Sequence, residues 1–173
     1  MTRAYSLAAL SLFAALACSD HQAGTSPTEP GGTTLPPASS IAEVTGIIVV
    51  DGAGAVDSYV HLMQQDGSLI LLVGTEARTL ASVAGGEVLV HGTWDANPGL
   101  VVSDFQVLSM GGRPALDGVI ELTDYGLALR LKDGSYVDLA QCPAELSTIV
   151  GDRIWLTGSA DSPPVTYGVI EAR

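Results

Sequence analysis

Few side chains in this sequence are of types that do chemistry, and their spacing can be read group by group. There are three histidines. His21 lies in a polar, proline-rich stretch, which leaves His61 and His91 for acid–base or metal work. Val60 and Leu62 flank His61, and Val88 and Val90 lead up to His91. Successive strand residues point to opposite faces, so both imidazoles are expected on the outer face. Zinc takes three or four ligands at suitable spacing, and no Cys-x2-Cys or His-x3-His accompanies them. The expectation is two surface histidines, no metal and no cofactor. Asp51-Gly52-Ala53-Gly54-Ala55-Val56-Asp57 places two carboxylates around a glycine-rich turn. It lacks the oxygen-ligand pattern of a calcium loop and reads as a solvated hairpin.

Cys142-Pro143-Ala144-Glu145 starts a helix by its Pro and Glu, which puts Cys142 at the N-cap, where a thiolate is favoured. Glu145 and the acidic surroundings oppose that shift. With no histidine or second cysteine beside it, Cys142 is expected to be structural. No catalytic constellation emerges, and the sequence is not expected to encode an enzyme.

The remaining signal is a set of basic and aromatic residues on three strand-like runs. Where Leu127, Leu129 and Leu131 turn inward, Arg130 and Lys132 turn out. Inward Val137 and Leu139 leave Tyr136 outside, and inward Ile154 and Leu156 leave Arg153 and Trp155 outside. These five, Arg130, Lys132, Tyr136, Arg153 and Trp155, are the candidate binding face, suited to an acidic sugar or a carboxylate-rich peptide. The competing expectation is that the third run does not adjoin the first two, and that Trp155 packs against the other half of the chain. Earlier in the chain, the outward positions Met63, Leu69, Leu71 and Leu89 are apolar. A strand apolar on both faces is normally covered on both, so the second half or a partner is expected over it.

Charge removes one class of function. The net charge is −12, with seven basic and nineteen acidic residues. Nucleic-acid affinity comes mainly from Lys and Arg neutralising phosphates, so generic nucleic-acid binding is not expected.

The N-terminus carries an address. Arg3 is followed by a short apolar run from Leu7 to Ala17, too short to span a bilayer and of the length of an export signal. Ala15-Leu16-Ala17-Cys18 closes it and resembles the lipobox of bacterial lipoproteins, with Ala15 where the family prefers Leu. The resemblance implies cleavage before Cys18, lipidation of that cysteine, and attachment to a membrane through the lipid. Cys142 then has no partner within the chain; without lipidation, Cys18 and Cys142 are free to pair. Ser19 resembles the residue that permits transfer to an outer membrane, facing the periplasm if there are two membranes. Residues 19–40 are rich in Gly, Thr, Ser and Pro, and read as a flexible tether.

From Ile41 the chain changes to short apolar runs separated by turns. Tyr59 to Met63, extended by Gln64 and Gln65, and Ser68 to Val73 form a hairpin across Asp66-Gly67. Glu76 to Ala84 reads as helix, and Glu87 to Trp94 and Leu100 to Leu108 as strands. The second half repeats the first. Leu80-x4-Gly85-x2-Val88-x-Val90-x-Gly92 matches Leu146-x4-Gly151-x2-Ile154-x-Leu156-x-Gly158, and Lys132-Asp133-Gly134-Ser135 echoes Gln65-Asp66-Gly67-Ser68. Self-similarity of this kind marks two copies of one supersecondary unit. Strand, strand, strand, short helix, strand, strand resembles the OB-fold, a five-stranded Greek-key barrel that often carries a helix between strands three and four and commonly binds ligands across strands two and three. The expected fold is all-β, as two tandem five-stranded OB-like Greek-key barrels with one short helix per unit; a single ten-stranded β-sandwich is the alternative. The organisation that follows is signal 1–17, lipidated Cys18 and tether 18–40, first barrel 41–110 and second barrel 111–173. The expected function is a non-enzymatic binding or adaptor module of the cell envelope, with a protein, anionic or glycan ligand. A structural or assembly lipoprotein is the second reading and an enzyme with a loop-built site the third.

Overall fold

The computed structural model describes residues 40–52, 58–95, 99–139, 144–158 and 166–173. The signal, Cys18, the tether, Cys142 and most of the 51–57 loop lie outside the described residues. The described residues belong to one compact unit. The chain is all-β, and its strands pair almost entirely antiparallel.

The first half contributes β1 (Ile41–Asp51), β2 (Tyr59–Met63), β3 (Leu69–Val73), β4 (Glu87–Trp94) and β5 (Leu100–Met110). Between β3 and β4 runs α1 (Thr75–Thr79), which tightens into a 3-10 turn over Leu80–Val83. β1 pairs with β2 and β4, β2 with β3, and β4 with β5. A short parallel contact of Leu72 and Val73 with Leu100 and Val101 joins β3 to β5 and closes the ring. Inside it, Ile48, Leu62, Leu80, Val83, Val88, Val90, Leu100, Phe105 and Val107 are fully buried. Those on strands alternate in the period-two pattern that removes one face from water, and Leu80 and Val83 of the 3-10 turn join them.

The second half repeats the order: β6 (Arg113–Thr123), β7 (Gly126–Leu131), β8 (Tyr136–Asp138), a 3-10 helix (Ala144–Ile149), β9 (Arg153–Thr157) and β10 (Thr166–Glu171). β6 pairs with β7 and β9, β7 with β8, and β9 with β10. Ile120, Leu129, Leu139, Leu146, Ile154 and Leu156 form a second buried cluster. The turn Gly111-Gly112 joins the halves, with φ of 58° and 74° that glycine adopts without steric cost.

The duplication extends to individual hydrogen bonds. Ile48 N–H donates to Gly86 O and Gly85 N–H to Ile48 O; in the second half, Ile120 N–H donates to Asp152 O and Gly151 N–H to Ile120 O. The hairpins match as closely. Asp66 Oδ1 accepts the Ser68 amide at 2.9 Å, and Asp133 Oδ1 accepts the Ser135 amide at 2.9 Å. Gln64 and Gln65 do not extend β2 as the sequence pattern suggests. Gln64 accepts the Gly67 amide and donates to Ser68 O, so the pair is consumed by the turn.

The two halves are packed together. Ile170 of β10 is buried within the first cluster, and Ala115 and Trp155 pack against it. The apolar outer positions of the first half are not covered evenly: Leu69 is 57% exposed, while Met63, Leu71 and Leu89 are half-buried. Among the described residues, no helix is long and apolar enough to cross a membrane.

Candidate binding site

β6 is the element that assembles the face. It lies between β7 and β9, and Val119 stands opposite Arg130 on one side and Arg153 on the other. Arg130 in turn stands opposite Tyr136 of β8. One outer row therefore crosses four strands in the order Arg153, Val119, Arg130, Tyr136. At about 4.8 Å per strand it spans about 14 Å. Strand alternation puts these side chains opposite the buried Leu129, Ile154 and Leu156.

Each cation of the candidate face has a carboxylate. Arg130 Nε donates to Glu121 Oε1 at 2.6 Å, and the Tyr136 hydroxyl donates to Glu121 Oε2 at 3.0 Å. The guanidinium bond first, and the phenol second, hold the Glu121 carboxyl below its usual range. Donation to that carboxylate raises the Tyr136 phenol. Lys132 forms an ion pair with Asp104 of β5. Partial burial, and next the nearby Arg153 charge, lower the Lys132 ammonium.

Arg153 does different work. Its Nε and a terminal nitrogen reach Asp117 at 2.9 and 2.8 Å, and that nitrogen also donates to Phe105 O at 2.7 Å. The guanidinium carbon stands 4.3 Å from the centre of the Phe105 ring. Asp117 is 5% exposed and also accepts the Val107 amide at 2.8 Å. Arg153 is thus tied into the junction between the halves and walls the site. Trp155 is half-buried, lies over Gly168 and packs on the first core, with its indole nitrogen enclosed and without a partner among the described residues. Its outward position on β9 meets the first half of the molecule rather than open solvent.

Two open depressions flank Arg130. One, of about 240 Å³, is lined by Asp104, Asp117, Val119, Arg130, Lys132 and Arg153. The other, of about 450 Å³, combines Glu121, Arg130 and Arg173 with the apolar Val119, Leu122 and Val150. Sequence reasoning missed Glu121, Asp104, Asp117 and Arg173. The acids gain their roles only through register across strands and between halves, which no local spacing reveals. Arg173 is placed by its amide, which donates to Asp152 Oδ1 at 2.9 Å.

The histidines do not join this site. His91 lies 3.6 Å from Glu43, and His61 stands opposite Val49 and Leu71 with an enclosed Nδ1 that has no partner among the described residues. Among the described residues, no group of three or more His, Cys, Asp or Glu side chains comes together as a metal set. No family model matches the chain, and neither a curated protein nor a solved structure matches it.

Proposed function

We propose that this chain is a lipid-anchored, extracytoplasmic binding or adaptor module of a bacterial envelope, without enzymatic activity. In this reading Cys18 carries the lipid, residues 19–40 form the tether, and each half is a small OB-like barrel. The second half recognises a protein, anionic or glycan ligand on its outer face. The observation that carries the reading is the in-register row Arg153, Val119, Arg130 and Tyr136, which gathers charge, an aromatic ring and two depressions on one side. Arg130 and Lys132 remain 42% and 46% exposed and Tyr136 54%, so a ligand can reach them.

The test is a photo-crosslinking residue at position 136 of the lipidated protein, irradiated in intact cells. A discrete adduct, lost on Arg130→Ala, is the expected result, and its mass separates a protein partner from a glycan. A control crosslinker at position 69 reports the outer face of the first half. No adduct at 136, with only intrachain products at 69, leaves a structural spacer as the better account.

A further inference from the structure

Within that reading, we infer that the ligand of the second-half face is a polyhydroxylated, uncharged glycan segment rather than a polyanion. The argument rests on how the cations are partnered. Arg130 is held by Glu121, Lys132 by Asp104 and Arg153 by Asp117, so three cations face three carboxylates. Arg173 lines the rim, with the Asp152 carboxylate on its amide. The face is therefore close to neutral within a chain of net charge −12.

A polyanion gains little there. It must displace Glu121 from Arg130 or Asp104 from Lys132, and it approaches through a field of its own sign. A sugar hydroxyl is both donor and acceptor, so it can add to a guanidinium–carboxylate pair without breaking it. Glu121 occupies Nε of Arg130, and among the described residues the terminal nitrogens have no partner. They remain donors, beside carboxylate oxygens that remain acceptors. Vicinal hydroxyls, one giving and one receiving a hydrogen bond, suit such a neighbouring pair.

The apolar elements fit the same ligand. The Tyr136 hydroxyl is tied to Glu121 while 54% of the residue stays exposed, so the ring is a fixed surface for the C–H face of a pyranose. Val119, Leu122 and Val150 offer a second such surface beyond Arg130. The two depressions, about 240 and 450 Å³, are at or below the lower part of the 300–1,000 Å³ range of small-ligand sites. They lie on either side of the row and meet at Val119 and Arg130; Tyr136 lines neither, so a sugar chain stacked on its ring passes over Arg130 to enter one of them. The matching row of the first half is Glu87, Ile47, Met63 and Leu69; there Glu87 accepts from the Ser109 hydroxyl at 3.1 Å, and the row holds neither a cation nor an aromatic ring. The matching depression of the first half, about 280 Å³, is lined by Thr45, Gln64, Gln65, Glu87 and Ser109, so what distinguishes the second half is its cation–carboxylate pair beside a ring.

The experiment is calorimetric titration of the full-length protein in detergent with three hexasaccharides: a neutral β-1,4-glucan, an N-acetylglucosamine oligomer and a polygalacturonate oligomer. The expected result is saturable binding of a neutral oligomer, changed less than about twofold between roughly 0.05 and 0.5 M NaCl. Tyr136→Ala should weaken it about tenfold, as loss of a central aromatic contact does. Tyr136→Phe, which keeps the ring, should retain most of it, and circular dichroism checks that both variants fold. Binding of the uronate alone, with steep salt dependence, overturns the inference in favour of an anionic ligand. Binding of none of the three also overturns it. If the crosslink at position 136 nevertheless persists in cells, the recognition face stands and only its ligand class is wrong; loss of both removes the face itself.

Discussion

At the scale of single residues, Glu121 is the centre of the candidate site, although it has no motif around it. It accepts from Arg130 and from Tyr136, and those two bonds favour its charged form in the folded chain. The sign of the linkage follows. A carboxyl whose folded pKa is depressed stabilises the fold above its unfolded value of about 4.3, and that contribution is lost as pH falls through the depressed folded value. Tyr136 works from the other end: its raised phenol contributes below the unfolded value, and the contribution is lost as pH rises through the folded one. Comparing urea midpoints of the parent protein and Glu121→Gln should therefore show a gap near neutral pH that closes in acid. The effect is small, because exposed pairs are screened by solvent and salt. A gap that is constant from neutral pH into acid would show that Glu121 acts by packing and not by charge.

At the scale of elements, the alternation of apolar residues made the second half legible. Leu129, Leu139, Ile154 and Leu156 are buried where the period-two pattern puts them, and Arg130 and Tyr136 fall on the opposite face. The repeat was legible too, because turns need particular residues: Asp66-Gly67-Ser68 and Asp133-Gly134-Ser135 close their hairpins with the same side-chain bond. What the pattern could not reveal was strand order. That β6 sits between β7 and β9, and so joins Arg153 to Arg130, depends on tertiary register. Trp155 shows the same limit, since alternation gives its face but not what lies over that face. Gly118 makes the role of register testable. A Cβ there would fall on the Arg130 carbonyl oxygen and 3.0 Å from Leu129 Cγ; at Gly46 it would stand 2.5 Å from Met63 O. Both glycines let the next strand approach closely at matching places in the two halves. Gly118→Ala should cost about 1–3 kcal/mol, in the range of overpacked cores, and displace β7 from β6. Amide exchange of Val119 and Arg130 would report it; unchanged protection would mean that β6 yields without losing the pairing.

At the scale of the whole molecule, the question is whether the halves unfold separately. The turn Gly111-Gly112 alone would permit it, but three features at the junction argue otherwise. Ile170, from the last strand of the second half, is 5% exposed and belongs to the core of the first. Ser82, after α1, donates to Thr79 O at 2.8 Å, and its Oγ stands 3.4 Å from Ile170 O, which brings the first half against β10. Asp117 is buried between Arg153 and the Val107 amide, and Arg153 reaches across to Phe105. A buried carboxylate deprived of its cation costs about 3–5 kcal/mol, far more than an exposed pair. Removal of a buried Ile side chain costs about 2–5 kcal/mol through lost transfer energy and the cavity left behind. Arg153→Ala and Ile170→Ala should each lower stability by amounts of that order. The change should appear in both halves at once, because each substitution removes an interaction held between them. In a Trp155→Phe background, fluorescence of Trp94 in the first half and amide exchange of Leu129 in the second would follow the two clusters separately during urea unfolding. Coincident transitions that shift together in both variants are the expected outcome. If Ile170→Ala moves the Trp94 transition and leaves Leu129 protection where it was, the halves fold as independent units and the junction is only a contact.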